Sequence, residues 1–210
     1  MRIVFSICFI FCACTNNSPT VKPGIIKMVQ TSKSFTGNYK TQQENCRNIL
    51  KLNNGLKEKI ITSIICDSLI PCWYGTPWNF YGTSETPGKG NIACGYFVTT
   101  IIRDVGIQIN RIKMAQCASE EMVKTVCEPA SIKRFSNKSM TEFITHIKKS
   151  GFGLYIVGLD NHTGFVYNDG NEVFFIHSSY ASPKCVVKEV AMQSSVLYYS
   201  KYRVVGKLKF

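Results

Sequence analysis

The chain has 210 residues, 45% of them hydrophobic and 12% aromatic, a composition that excludes a disordered or fibrous protein. Its 25 Lys and Arg residues against 13 Asp and Glu give a net charge of +12, which favours anionic surfaces such as acidic polymers or lipid headgroups. The basic residues are scattered and do not alternate with aromatic residues, so no nucleic acid partner is expected. No apolar run reaches the roughly 18 to 20 residues of a transmembrane helix.

The N-terminus has the pattern of an export signal. Arg2 precedes an apolar stretch from Ile3 to Phe11, and small or sulfur-containing residues follow up to Cys14. This resembles a bacterial lipoprotein signal over residues 1–14, in which Cys14 becomes the lipid anchor. The resemblance implies an exported, membrane-anchored protein, periplasmic or at the cell surface. The alternative is a plain signal peptide cleaved nearby. Residues 15–38 are predicted to form a flexible tether, and residues 39–210 are predicted to form one domain.

Hydrophobic periodicity places most helices in the first two thirds of the chain. Asn53, Asn54 and Gly55 divide a first helical region, and Pro71 is expected to end it. Ser139 and Glu142 have the spacing of a capping box at the start of the helix of residues 140–149. Gly106 is expected to end the helix of residues 93–105. The predicted helices cover residues 40–70 in two pieces, 93–105, 118–127 and 140–149. Residues 71–93 form a long loop whose aromatic residues argue against disorder.

Short β-branched and aromatic segments fill the last third of the chain, separated by turn signals. The predicted strands cover residues 152–159, 162–168, 172–180, 185–191 and 202–210. Helices followed by an antiparallel meander predict the α+β class.

Cys94 stands where the loop meets the helix of residues 93–105, in the first turn. A helix N-terminus or a nearby imidazole favours the thiolate, which is the nucleophilic form. Among the three histidines, His162 begins one strand and His177 ends the next, so a hairpin would bring both to the same end of the sheet. A nucleophile, a base and an orienting group form a catalytic triad. His146, within a helix, is expected to be solvated or to pack.

The segments "PWNFYGT…GNIACGYFV", "HTGFVY" and "FFIHSSY", within about residues 75–180, resemble the NlpC-type cell-wall cysteine peptidases and the related CHAP amidases. The resemblance implies a papain-like fold, with the nucleophile at a helix N-terminus packed on a C-terminal antiparallel sheet. It implies Cys94 as nucleophile, His162 as base and His177 as third member. The implied activity is cofactor-free hydrolysis of amide bonds in peptidoglycan peptides through a thioester intermediate. From its place at the helix start, the backbone N–H of Cys94 is expected to stabilise the oxyanion.

Three positions depart from the family pattern. Ala93 and Gly95 replace an Asp and a Ser that help to recognise a free peptide amine, and Trp78 replaces a Tyr. The usual dipeptidyl specificity is therefore not expected. The loop aromatics either line a substrate groove or hold the loop on the core; the expected groove residues are Trp73, Tyr74, Trp78 and Tyr81, with Phe80 beside them.

Several alternatives remain open at this stage. Cys94 could be a buried packing residue, in a non-catalytic lipoprotein module that binds wall peptides or a protein partner. The hydrolase could also act on another amide or a lipid ester. Asp160, Asn161 or Asn168 could orient the base, and His162, His177 and Asp160 could hold zinc, although no metal is the favoured reading. Seven cysteines beyond the leader leave at least one thiol free and allow up to three disulfides.

Overall fold

A computed structural model describes residues 38–52 and 57–210. The predicted leader, Cys14, residues 15–37 of the tether and the helix-breaking residues Asn53–Gly55 lie outside this part. Asn38 caps the first helix by accepting a hydrogen bond from the Lys40 amide at 3.0 Å. In the described ranges no helix is both long and apolar enough to cross a bilayer.

The N-terminal helical region runs further than predicted. Helix α1 (Tyr39–Leu50) is followed by α2 (Lys57–Ile64), which continues as a π-turn (Ile65–Leu69) and a 3₁₀ turn (Ile70–Trp73). The expectation that Pro71 ends the helix was wrong. Pro71 lies in the first turn of the 3₁₀ segment, where its missing N–H and fixed φ are tolerated.

The remaining helices are α3 (Cys94–Asp104), α4 (Arg111–Ala115), α5 (Ser119–Val126), α6 (Met140–Lys149) and α7 (Ser195–Tyr199). The strands are β1 (Lys133–Ser136), β2 (Gly153–Leu159), β3 (Thr163–Asn168), β4 (Val173–Ser178), β5 (Val186–Val190) and β6 (Tyr202–Lys207). The predicted cap of α6 is present, because the Glu142 amide donates to the Ser139 hydroxyl at 3.1 Å. The elements that sequence reasoning missed, α4, α7 and β1, have five residues or fewer, too short for a periodic pattern.

The six strands form one antiparallel sheet in the order β1-β6-β2-β3-β4-β5. The predicted meander is confirmed for β2 to β5. It is wrong for β6, which does not extend the sheet beyond β5. The chain returns and β6 pairs with the free edge of β2, where Val205 lies opposite Val157. The fold is therefore α+β, with seven helices and a six-stranded antiparallel sheet in the described residues.

Helices cover both faces of the sheet. On one face Leu154 and Ile156 of β2 pack with residues of α1, α2, α3 and α5. On the other face Tyr155 and Val157 pack with residues of α6 and α7. Because successive strand residues point to opposite faces, β2 is buried along its whole length. The catalytic candidates lie at the end of a sheet that is enclosed on both sides.

The long loop before α3 is held by backbone hydrogen bonds. The Gly75 amide donates to the Val186 carbonyl and the Val186 amide to the Thr76 carbonyl, both at 2.9 Å. The Ala93 amide donates to the Gly82 carbonyl at 2.8 Å, immediately before Cys94. The loop is therefore ordered, as its aromatic residues predicted. The same hydrogen bonds fix the start of α3 relative to β5.

Candidate active site

Cys94 is the first residue of α3, and Ala93 is its N-cap with extended backbone angles and no side-chain hydrogen bond. The first-turn amides therefore have no capping side chain, so they and the helix dipole are available to an anion. The buried Ser178 hydroxyl at the end of β4 donates to the Ile92 carbonyl at 2.7 Å. That bond ties the start of α3 to the strand that carries His177.

The environment of the Cys94 thiol contains two opposed effects. Burial raises its pKa, whereas the backbone N–H groups of Thr163, Gly95 and Cys94 itself lower it, and burial prevails. The isolated thiol therefore stays protonated at neutral pH. Nucleophilic attack from this position requires a base that removes the proton.

The β3–β4 hairpin brings the two candidate histidines into contact. His162 Nε2 lies 2.8 Å from His177 Nδ1, and the two rings are nearly perpendicular at 86°. Both side chains are buried. Gly164 makes this approach possible, because a Cβ there would lie 2.8 Å from the Cβ of His177 and 2.6 Å from the Phe175 ring. His177 thus occupies the position beside His162 that the triad interpretation requires.

Glu189 extends this chain and was missed in the sequence. His177 Nε2 lies 3.1 Å from Glu189 Oε1, whose residue pairs with Phe175 across β4 and β5. The only sequence signal was a carboxylate inside the apolar strand pattern "CVVKEVA". The four residues form the series Cys94, His162, His177, Glu189, of which the last three are joined by hydrogen bonds.

Burial determines the protonation states along the series. It lowers the pKa of His162, assisted by the neighbouring His177. It also lowers the pKa of His177, against the opposing influence of Glu189. Burial raises the pKa of Glu189, but the hydrogen bond and charge of His177 and the nearby Ser194 hydroxyl outweigh it, and the net shift is downward. At neutral pH both imidazoles are therefore neutral and Glu189 is a carboxylate.

Cys94 and His162 both line a cleft of about 480 Å³. Its other walls carry aromatic rings, with small and uncharged polar residues between them; the aromatic residues are Trp78, Phe80, Tyr81, Tyr96 and Tyr180. A second cavity of about 250 Å³ adjoins the same two residues and is lined by Cys117, Ser119 and Met122 among others. A substrate bound over Cys94 would have space on both sides.

The structure separates the four expected groove residues into two pairs. Trp78 and Tyr81 line the cleft, whereas the expectation for Trp73 and Tyr74 was wrong. The Trp73 ring is fully buried and packs edge-to-face on Phe97 at 6.2 Å. The Tyr74 hydroxyl is buried without a hydrogen-bond partner. Trp73 is the last residue of the 3₁₀ turn that extends α2 and Tyr74 follows it, so both hold the start of the loop on the core.

Tyr180 is a cleft residue that sequence reasoning did not single out. Its ring meets the His162 ring edge-on at 5.1 Å and lies 6.3 Å from Trp78. Its sequence signal was its position three residues after His177 in "HSSY". Tyr180 thus covers one side of the His162 ring and is itself in contact with Trp78.

The alternative orienting residues are engaged elsewhere. The Asp160 carboxylate accepts hydrogen bonds from the Ser200 hydroxyl and the Lys201 amide at 2.9 and 2.7 Å. The Asn168 amide donates to the Ile147 and Gly151 carbonyls at 3.0 and 2.8 Å. His177 therefore orients His162, and neither of these two residues does. Asn161 lies on the cleft wall, exposed.

Three further expectations concern His146, a metal site and the pairing of the cysteines. His146 is half-buried and packs on Phe135 with ring centroids 5.3 Å apart, as expected. No cluster of three His, Cys, Asp or Glu side chains suited to a metal occurs in the described part of the chain. All seven cysteines within it are free thiols, so none of the possible disulfides forms there; they are Cys46, Cys66, Cys72, Cys94, Cys117, Cys127 and Cys185.

Close packing explains one departure from the family pattern. A Cβ on Gly95 would lie 2.4 Å from the Ala115 carbonyl oxygen, a distance that backbone atoms cannot accommodate without moving. The last residue of α4 thus leaves no room for a serine side chain at position 95.

Comparison of the chain with protein-family models, curated proteins and solved structures gave no significant match.

Proposed function

We propose that the chain is a papain-like cysteine hydrolase of the NlpC or CHAP type, which cleaves amide bonds in bacterial cell-wall peptides. The observation that carries the proposal is the hydrogen-bonded pair of His162 and His177, buried beside the cleft that Cys94 also lines. A structural cysteine needs no such neighbours, whereas a nucleophile with a raised pKa needs a neutral base within the same cleft.

The first half of the reaction forms a thioester. His162 takes the Cys94 proton as the sulfur attacks the carbonyl carbon, and the carbonyl oxygen becomes an oxyanion. The backbone N–H of Cys94 at the uncapped start of α3 donates to that oxygen. When the tetrahedral intermediate collapses, the carbon–nitrogen bond breaks and His162 transfers its proton to the departing amine.

The second half releases the acyl group. His162, neutral again, removes a proton from a water molecule that attacks the thioester carbonyl. The carbon–sulfur bond breaks, the carboxylic acid product leaves, and the proton returns to the Cys94 sulfur. His177 holds the His162 ring in place throughout.

The proposed substrate is peptidoglycan, and the proposed location is the outer side of a membrane to which a lipid on Cys14 anchors the chain. The net charge of +12 favours an anionic cell-wall or membrane surface. The cleft contains the aromatic walls and the few polar groups that are typical of small-ligand sites.

The test uses residues 15–210 and its Cys94→Ala variant, each incubated with purified peptidoglycan, with released fragments read by mass spectrometry. We expect fragments from the parent only, with masses that identify the bond. Hydrolysis by the Cys94→Ala protein at the parent's rate would refute the nucleophile. A Cys72→Ala variant is the matched control, since Cys72 is also a partly buried thiol but lines neither of the two cavities, and it should retain activity.

A non-catalytic module of the same fold is the second candidate, favoured by the raised pKa of Cys94. It predicts that both proteins pellet with peptidoglycan and that neither releases fragments. It also predicts slow alkylation of Cys94 by iodoacetamide that does not change in a His162→Ala variant. The hydrolase predicts that this variant alkylates at least 10-fold more slowly, because the base is lost.

A further inference from the structure

We infer that Glu189 is a positioning residue that sets the tautomers of both buried histidines, so that the base at the active site is Nδ1 of His162. The inference rests on the proposed function and adds a fourth member to its triad. It depends on which nitrogen atoms along the series can donate and which can only accept.

The argument begins at Glu189. An ionised carboxylate has no proton to donate, so the 3.1 Å contact requires a proton on His177 Nε2. A neutral imidazole carries one N–H only, so His177 Nδ1 then presents a lone pair.

The same rule applies to the second contact. His177 Nδ1 can only accept, so the 2.8 Å contact requires a proton on His162 Nε2. The remaining nitrogen of His162, Nδ1, therefore holds the lone pair. His162 Nδ1 is not the nitrogen that contacts His177, so its lone pair can receive the Cys94 proton.

Removing the carboxylate permits the opposite arrangement. With no acceptor at its Nε2, His177 can carry its proton on Nδ1 and donate it to His162 Nε2. His162 then carries its own proton on Nδ1, which can accept none from Cys94. Because His177 is fully buried, solvent cannot replace Glu189 as the acceptor at His177 Nε2. A triad whose orienting carboxylate is changed to an amide loses about 10⁴-fold through the wrong tautomer.

The experiment compares Glu189→Leu and Glu189→Gln with the parent. Each is made in the Cys94→Ala chain for ¹⁵N NMR of the imidazoles, and in the active chain for kinetics. The parent should show protonated Nε2 and unprotonated Nδ1 on both His162 and His177. Glu189→Leu should lose this pattern and about 10²-fold or more in kcat/KM. Glu189→Gln can turn its NH₂ group towards His177 Nε2 and so favour a lone pair there, so this variant should also lose the pattern and at least about 10²-fold in kcat/KM.

Glu142→Gln on α6, half-exposed, is the matched control and should match the parent in both measurements. Parent tautomers in Glu189→Leu, at unchanged activity, would overturn the inference. NMR requires no turnover, so a change of tautomers in Glu189→Leu supports the inference even if the parent hydrolyses nothing, and only the proposed function then fails. If Glu189→Leu does not fold, protonated Nδ1 on either histidine of the parent would overturn it.

The lining of the cleft supports a second inference, which also rests on the proposed function. None of the residues that line the 480 Å³ cleft is Lys, Arg, Asp or Glu, although the chain carries a net charge of +12. Its walls are aromatic rings and small residues, with Gln116, Asn161 and Thr83 as uncharged polar groups. A charged group entering it would lose hydration without gaining an ionic partner.

We infer that the bond cleaved is flanked on this side by an uncharged group, such as an alanine or a sugar, and not by the acidic residue or the diamino acid of a wall peptide. The test uses acetylated peptide amides matched in pairs, Gln against Glu and norleucine against Lys, at each position flanking the bond. On the cleft side, we expect the neutral member to have at least 10-fold higher kcat/KM.

Binding of the same pairs to the Cys94→Ala protein, followed by NMR, tests the preference without catalysis. Equal or tighter binding of both charged members at every position would overturn it. A neutral preference in binding with no hydrolysis by the parent would support a cleft that selects uncharged groups while refuting the hydrolase.

Discussion

Gly95 gives the sharpest test of how the active site is packed. Gly95→Ala places a Cβ 2.4 Å from the Ala115 carbonyl oxygen, where ordinary contacts begin at 3.4 Å. One of the two backbone segments must then move by about 1 Å. Overpacking of this kind costs about 1–3 kcal/mol, whereas replacing a helical glycine by alanine gains up to about 1 kcal/mol. We therefore expect the free energy of unfolding to fall by about 1–2 kcal/mol.

The assay is urea and thermal unfolding, with activity measured in parallel. A loss of 1–2 kcal/mol in a domain of this size lowers Tm by about 2–8 °C. Because Cys94 adjoins the glycine and the Ala115 backbone lines the cleft, kcat/KM should fall as well. The Gly95→Ser variant places a larger side chain at the same position, so its losses of stability and of kcat/KM should be at least as large.

Ala93→Ser is the matched control two residues away. Ala93 has the extended backbone of an N-cap, φ −79° and ψ 160°, but no capping side chain. A serine hydroxyl can accept from a first-turn amide, so this variant should gain about 1 kcal/mol. If Gly95→Ala unfolds at or above the parent's midpoint, or Ala93→Ser loses as much stability as Gly95→Ala, the packing argument is refuted.

Four further predictions follow from the same structure. The pKa of His162 is lowered, so its ring is neutral and able to accept a proton at pH 6.5. The fall of kcat/KM towards low pH should therefore begin only below pH 6.5, and a fall that already begins above pH 7 would contradict this. Folded His162 and His177 bind protons less readily than the unfolded chain, so the free energy of unfolding should fall as pH drops below about 6.5, by up to about 1.4 kcal/mol per pH unit for each ring; a flat profile in urea titrations would refute it. Trp73→Ala should cost about 3–5 kcal/mol of stability, whereas Trp78→Ala on the cleft wall should mainly raise KM; equal effects on Tm would contradict their placement. Cells expressing the full chain should incorporate labelled palmitate, and Cys14→Ala should abolish it; unchanged labelling would refute the anchor.

The parts predicted well from sequence were those governed by local pattern. Helices α3 and α6 repeat apolar residues at helical spacing, and strands β2 to β5 lie between clear turn signals, so their bounds were predicted to within about two residues. The placement of Cys94 at a helix start, and of His162 and His177 at one end of a hairpin, follows from the same local rules. None of these predictions required knowledge of which elements touch.

Tertiary contacts decided the rest. Aromatic residues on one loop look alike in sequence, and only packing shows that Trp73 enters the core while Trp78 lines the cleft. The pairing of β6 with β2 depends on a chain return that no local pattern records.

The residues of the site divide in the same way. Composition and periodicity determined that this chain folds as an α+β domain and which cysteine begins an apolar helix. The register between β4 and β5 decided that Glu189 completes the series through His177. The Ala115 carbonyl decided that residue 95 must be glycine. The physical reason is that a strand or helix is specified by its own residues, whereas a hydrogen-bonded series joins residues whose distance depends on every element packed between them.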